Sequence, residues 1–150
     1  MTAVNSNSRQ DIDHVAYLLH MATRRLRAEV EARVSGSVPP LRAAQARLLD
    51  LIPPDGGRAT DMAVLARVSK QGLGQLVSQL AAHGYVETVP DPADRRAKLI
   101  RRTALGERAW QAIRSSLAAV EDQWRAQVGA DRYATFHQVL REVVHATPPE

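Results

Sequence analysis

The 150-residue chain contains no cysteine, which excludes disulfides, thiolate metal centres and cysteine-based redox sensing together. Aromatic residues make up only 4%. Trp110, Trp124, Tyr133 and Phe136 recur at helical core spacing, so they read as packing residues rather than as a platform on which bases stack. No apolar run approaches the roughly 18 residues that cross a bilayer, and the polar start MTAVNSNSRQD lacks the basic-then-apolar pattern of a secretion signal. The expected address is cytoplasmic, with no membrane partner. The five histidines form neither an i, i+4 pair nor an HExxH pattern, so no metal site is expected. A glycine-rich cofactor loop and a nucleophile with its base are also lacking, so neither an enzyme nor a cofactor is expected.

What is present describes a folded, basic-centred chain. Hydrophobic residues make up 45% and charged residues 24%, too apolar for disorder and long enough for one well-buried core. The net charge of +4 is unevenly spread. Residues 1–40 carry five Lys/Arg against four Asp/Glu, residues 41–103 carry ten against six, and residues 104–150 carry five against six. The whole surplus sits in the middle, as expected for a polyanion-binding head between neutral flanks, because phosphate neutralisation supplies most sequence-independent affinity.

Ser8 or Asp11 is placed to cap a first helix in which Ile12, Val15, Leu19, Ala22, Leu26, Val30 and Val34 recur at three and four, stopping at Ser35-Gly36. A second helix spans about 41–52 and ends at Pro53-Pro54, before a flexible Asp55-Gly56-Gly57 turn. Thr60 is expected to cap a short helix to about residue 67, and Ser69 one to about residue 83. In the latter, Leu73, Leu76, Val77 and Leu80 form a buried stripe, leaving Gln71, Gly74, Gln75 and Ser78 on the opposite face. Residues 85–89 read as a strand, 90–97 as a loop and 98–103 as the return strand. A long helix follows from residue 103 or 104, with Trp110, Ile113, Leu117, Val120, Trp124 and Val128 in one seam. Gly129 breaks it, and a last helix turns Tyr133, Phe136, Leu140 and Val143 inward. At about 1.5 Å per residue the long seam spans more than a head of this size covers.

Two short helices followed by an arginine-tipped hairpin form the layout of a winged helix that grips duplex DNA. Gln71 and Gln75 suit adenine edges, while Ser69, Lys70 and the helix amides suit a phosphate. Gly72 and Gly74 cost roughly 1 kcal/mol each relative to Ala in a helix interior, a cost either offset by close approach to the groove floor or simply tolerated near a helix start. At the hairpin tip, Arg95 and Arg96 suit a narrow minor groove or a phosphate, Lys98 adds charge, and Asp94 can brace one arginine through a bidentate pair. The choice between the two arginines stays open.

The chain resembles the MarR family of winged-helix transcription regulators over about residues 12–146. The resemblance is carried by Leu41 and Gln45, Thr60-Asp61-Met62-Ala63, Val68-Ser69-Lys70-Gln71, Leu76-Val77 with Leu80, Gly84-Tyr85-Val86, the wing stretch Asp91 to Lys98, and Thr103 with Gly106. Arg42 departs by standing where a Ser or Thr cap is usual. Arg102 departs by standing where an apolar strand residue is usual, so either that inner face is less buried or Arg102 adds a phosphate contact.

The resemblance implies a mainly α fold with a two-stranded β wing in a single domain. Residues 41–103 would be the DNA-binding head, and residues 8–40 and 104–146 the helices of an obligate homodimer. It further implies repression at a palindromic operator, relieved by a small aromatic or phenolic effector. Tyr17, His20, Met21, Arg24 and Arg47 are the pocket candidates. Two rivals are a non-catalytic dimeric winged-helix protein-interaction module and a substrate-binding module like the winged helices preceding some methyltransferases.

Overall fold

Glycine and proline divide the chain at the expected places. The computed structural model describes residues 14–39 and 41–146, and for Arg95 the backbone only. Ser8, Asp11 and Ile12 lie outside the described residues. The elements in order are α1 (Val15–Val34), α2 (Ala43–Leu51), β1 (Gly57–Arg58), α3 (Ala59–Ala66), α4 (Lys70–Ala82), β2 (Val86–Asp91), β3 (Asp94–Arg102), α5 (Ala104–Val128) and α6 (Ala130–His145). The fold is mainly helical, as expected, but the sheet has three antiparallel strands in the order β1-β3-β2. The expected two-stranded wing gains β1 because Gly57 and Arg58, read as the end of a turn and its neighbour, pair with Ile100 and Leu99.

Residues 33–115 form one compact unit; residues 14–32 and 116–146 belong to another. In the first, Leu48, Leu49, Ile52, Met62, Leu73, Leu80, Tyr85, Val86 and Ile100 make a continuous core. Helix α2 opens at Arg42, whose backbone N–H donates to Gln45 Oε1 at 2.8 Å. A guanidinium has no acceptor to return the bond, so only half of a capping box forms. Buried Gln45 also donates to Gln79 Oε1 at 3.0 Å, tying α2 to α4.

The short helices differ from expectation at one end. Helix α3 starts at Ala59 with Arg58 as its extended N-cap. Thr60 lies inside the helix, its hydroxyl turned to Asp61, so it is not the cap. Extended pairing of β1 runs directly into the helix and leaves Arg58 at the junction. Helix α3 ends with Arg67 in the left-handed region at φ 53°, an uncommon backbone state for a non-glycine residue. Ser69 caps α4 as expected, its Oγ accepting the Gly72 N–H at 3.0 Å. The far end of α4 is a Schellman motif: Gly84, at φ +72°, donates to Ala81 O, and Tyr85 donates to Leu80 O.

The start of α5 is locked onto that exit. Thr103 N–H donates to Tyr85 O, the Thr103 hydroxyl donates to Gly84 O, and Gly106 N–H donates to Thr103 Oγ1. A Cβ on Gly106 would lie 1.8 Å from Tyr85 O, so only glycine allows this approach.

In the other unit, Arg25 pairs with Glu29 at 2.6 Å and donates to Gln127, while Trp124 donates to Glu29. These bonds tie α1 to α5. Val120 and Tyr133 are buried there, but Phe136 and Val143, expected to face inward, are 46% and 67% exposed. Val15, Leu19 and Val128 of the two long seams are exposed as well. The periodicity identified apolar faces without supplying what covers them.

Candidate nucleic-acid interface

Helix α4 presents the anticipated polar face. Gln71, Gly74, Gln75 and Ser78 are all exposed, as are Ser69 and Lys70 at its start, while Leu73 and Leu80 are buried on the other side. A Cβ built on Gly74 meets nothing within 4 Å, whereas one on Gly72 would sit 3.3 Å from Ser69 Oγ. Gly72 therefore serves its own helix cap, and Gly74 leaves an unfilled notch on the outer face.

The wing is longer and tighter than expected. β2 and β3 take up most of the anticipated 90–97 loop, leaving Pro92 and Ala93 as the turn. Pro90 is tolerated because β2 is an edge strand. The register steps from Pro90–Lys98 to Asp91–Asp94, so residues 95–97 face no partner on β2. Bulges of this kind re-aim side chains at the rim of a sheet. Arg96 and Lys98 are exposed; the Arg95 side chain lies outside the described residues.

Two carboxylates close the tip. Asp94 Oδ1 accepts the Arg96 backbone N–H at 3.0 Å. A guanidinium pair is formed by Asp91, whose Oδ2 lies 2.8 Å from Arg58 Nε and 2.6 Å from Nη2. Asp91 Oδ1 also accepts the Ala93 N–H at 2.8 Å. That backbone bond first, and Arg58 second, hold the Asp91 carboxyl below its ordinary pKa, and the same pairing raises that of Arg58. Arg101 forms a more exposed pair with Glu87 at 2.7 Å.

Arg102 resolves the alternatives left open for it. Its side chain is 6% exposed, so it is not available to a phosphate. The guanidinium donates to the Leu49 and Ile52 carbonyls at the C-terminal end of α2, pairs with Glu107 at 2.8 Å and lies 4.3 Å from the Trp110 ring centroid. Orphan helix carbonyls and a cation suit each other, and the hydrogen bond from Arg102 lowers the Glu107 pKa.

The effector candidates are divided between the two units. Tyr17, His20, Met21 and Arg24 are exposed on α1, and Arg47 is exposed on α2 in the other unit. An open cleft of about 450 Å³ lies between α5 and α6, lined by Glu121, Arg125, Tyr133, His137, Gln138 and Arg141 among others. None of the five candidates lines it. Arg58, Asp91 and Arg102 are the structural residues that sequence reading missed or left unresolved. Of the three only Arg102 carried a signal, a charge at a position where an apolar strand residue was due.

Residues 41–97 match the model of the MarR family. The transcriptional activatory protein BadR of Rhodopseudomonas palustris is 34% identical over 59 residues, 39% of this chain; the match spans only 34% of that relative's length. Among solved structures, CouR from Rhodococcus jostii, bound to p-coumaroyl-CoA, aligns with a TM-score of 0.69 at 21% identity, covering 92% of this chain and 96% of that one. PcaV from Streptomyces coelicolor, in complex with its natural ligand, aligns at 0.68 and 23% identity, covering 97% and 99%. At these identities the structural likeness establishes the fold.

Proposed function

We propose, from the premise that this chain belongs to the MarR family of winged-helix transcription regulators, that it is a homodimeric repressor of a palindromic DNA operator. The observation that carries this reading is the pairing of an exposed polar face on α4 with arginines on a bulged hairpin tip. Gln71 and Gln75 read base edges from Gly74's side of the helix, with Ser78 beside them. Ser69 and Lys70 hold a phosphate, and Arg95, Arg96 and Lys98 bind neighbouring backbone or minor groove. Asp94 braces the wing by fixing the Arg96 amide.

Residues 41–103 act as the head, and 8–40 with 104–146 as dimerisation helices. A symmetric pair of heads requires a two-fold site with half-sites about one helical turn apart. A small aromatic effector, contacted by Tyr17, His20, Met21, Arg24 or Arg47, would change the separation of the two recognition helices and release the operator. The p-coumaroyl group of the CouR ligand supports an aromatic class. Activation is the second reading, favoured by the activatory role in the name of the R. palustris relative, because identical contacts serve either outcome according to operator position. The protein acts by binding, not by catalysis.

The test is the salt dependence of duplex binding. Replacing Arg95 and Arg96 by Ala is expected to weaken binding to specific and unrelated duplexes alike and to reduce the slope of log K against log salt by about 0.9 per lost phosphate contact. An unchanged slope overturns the DNA-bound wing.

A further inference from the structure

The wing is held differently at its root and at its tip. From Val86–Arg102 to Pro90–Lys98 its register is regular. Beyond that point residues 95–97 have no partner on β2, and Pro90 has no N–H to donate. Backbone pairing thus gives out where the arginines stand.

A side-chain pair spans the gap. Arg58 on β1 and Val89 on β2 both lie opposite Leu99 of the central strand, and Asp91 is two residues beyond Val89. Side chains two apart share a face of a sheet, which lets Arg58 reach across β3 to Asp91. Both Arg58 nitrogens converge on Asp91 Oδ2, while Oδ1 holds the Ala93 amide in the turn. One carboxylate therefore joins the far edge strand to the hairpin tip. The Asp91 side chain is 7% exposed, so the pair is screened less by salt than the half-exposed Arg101–Glu87 pair.

We infer that Arg58 is a positioning residue for the wing: through Asp91 it fixes the hairpin tip at the orientation in which Arg95 and Arg96 meet duplex DNA. This rests on the DNA-binding reading above. The geometry makes the edge strand β1 a part of the DNA-reading device, and makes the junction before α3 a determinant of where the wing lands. It also explains why an arginine, and not a Ser or Asp cap, precedes α3: its guanidinium serves the wing rather than the helix.

Arg58→Met, Asp91→Asn and the double variant test this, with amide hydrogen exchange measured on the unbound protein and binding measured to a mixed-sequence DNA duplex. Asn retains an acceptor for the Ala93 N–H, so it removes the ion pair while sparing the turn. Each single variant is expected to speed exchange at residues 93–97 several-fold without altering α4. Each should also weaken duplex binding about tenfold, the size of one lost charge-assisted contact, and reduce the salt slope. The double variant should be no weaker than either single one, as for partners in one interaction. Unchanged exchange in both singles overturns the brace. Weaker binding in Arg58→Met alone, with exchange unaltered, would assign Arg58 to a phosphate instead and also overturns it. A wild-type protein that ignores the duplex overturns the function and this role together, and the exchange data separate that outcome from a failed brace.

Discussion

Residues 33–115 close around a core of their own, whereas the helices of 14–32 and 116–146 leave most of their large apolar side chains in the open. Among the described residues, every buried hydrophobic residue except Val120 and Tyr133 belongs to the first unit. The exposed ones are mostly in the second: Val15, Leu18, Leu19, Phe136, Val139, Val143 and Val144 against Val64, Leu65 and Leu105. Local turns, a sheet and a buried arginine let the head satisfy itself. Long amphipathic helices cannot do so alone, since an apolar stripe is stable only against another surface. The contrast supports the proposal that recognition belongs to one unit and association to the other.

The strongest way to break this contrast is to place charge on the open helices. Phe136→Glu with Val143→Asp is expected to yield a monomer in sedimentation equilibrium and to lower operator affinity on the order of a hundredfold, through loss of bivalent binding, with thermal unfolding of the head unchanged. A variant that stays dimeric would move the interface to another surface. A change inside the head should act on stability instead. Arg102→Met leaves the Leu49 and Ile52 carbonyls unsatisfied and should cost on the order of 3 kcal/mol in denaturant unfolding. Unfolding at the wild-type midpoint would show that the guanidinium is not what secures the end of α2. The smallest effect sharpens the recognition face. Gly74→Ala, whose Cβ meets nothing in the unbound protein, should stabilise α4 by up to about 1 kcal/mol while weakening operator binding. Stabilisation with undiminished binding would make Gly74 a tolerated residue rather than a fit to the groove.

The elements that sequence reading located well are those bounded by local chemistry. Gly36, Pro53-Pro54, Gly84 and Gly129 stop helices through their own backbone preferences, and Ser69 caps through a bond to a residue three positions away. The period-of-3.6 stripe in α4 was legible for the same reason. Features that depend on distant partners were not. Arg58 meets Asp91 across 33 residues, and Arg102 reaches Leu49 O across 53. Nothing near either arginine announces its partner. β1 escaped notice because two residues carry no alternation, and the wing was read as a long loop because Pro90 obscured a strand whose edge position permits it. Phe136 and Val143 show the limit from the other side: spacing identifies an apolar face but not whether its own chain covers it. The exposed residues of α4 and the wing were legible as a polar, cationic surface, and duplex binding remains their test.

Thr103 stands between α4 with its outgoing turn and the long helix α5, answering to Gly84 and Tyr85 on one side and to Gly106 on the other. A missing methyl group at Gly106 lets the two backbones touch. The joint therefore pins the first turn of α5 to the far end of α4 through three hydrogen bonds and a contact that any side chain at Gly106 would break.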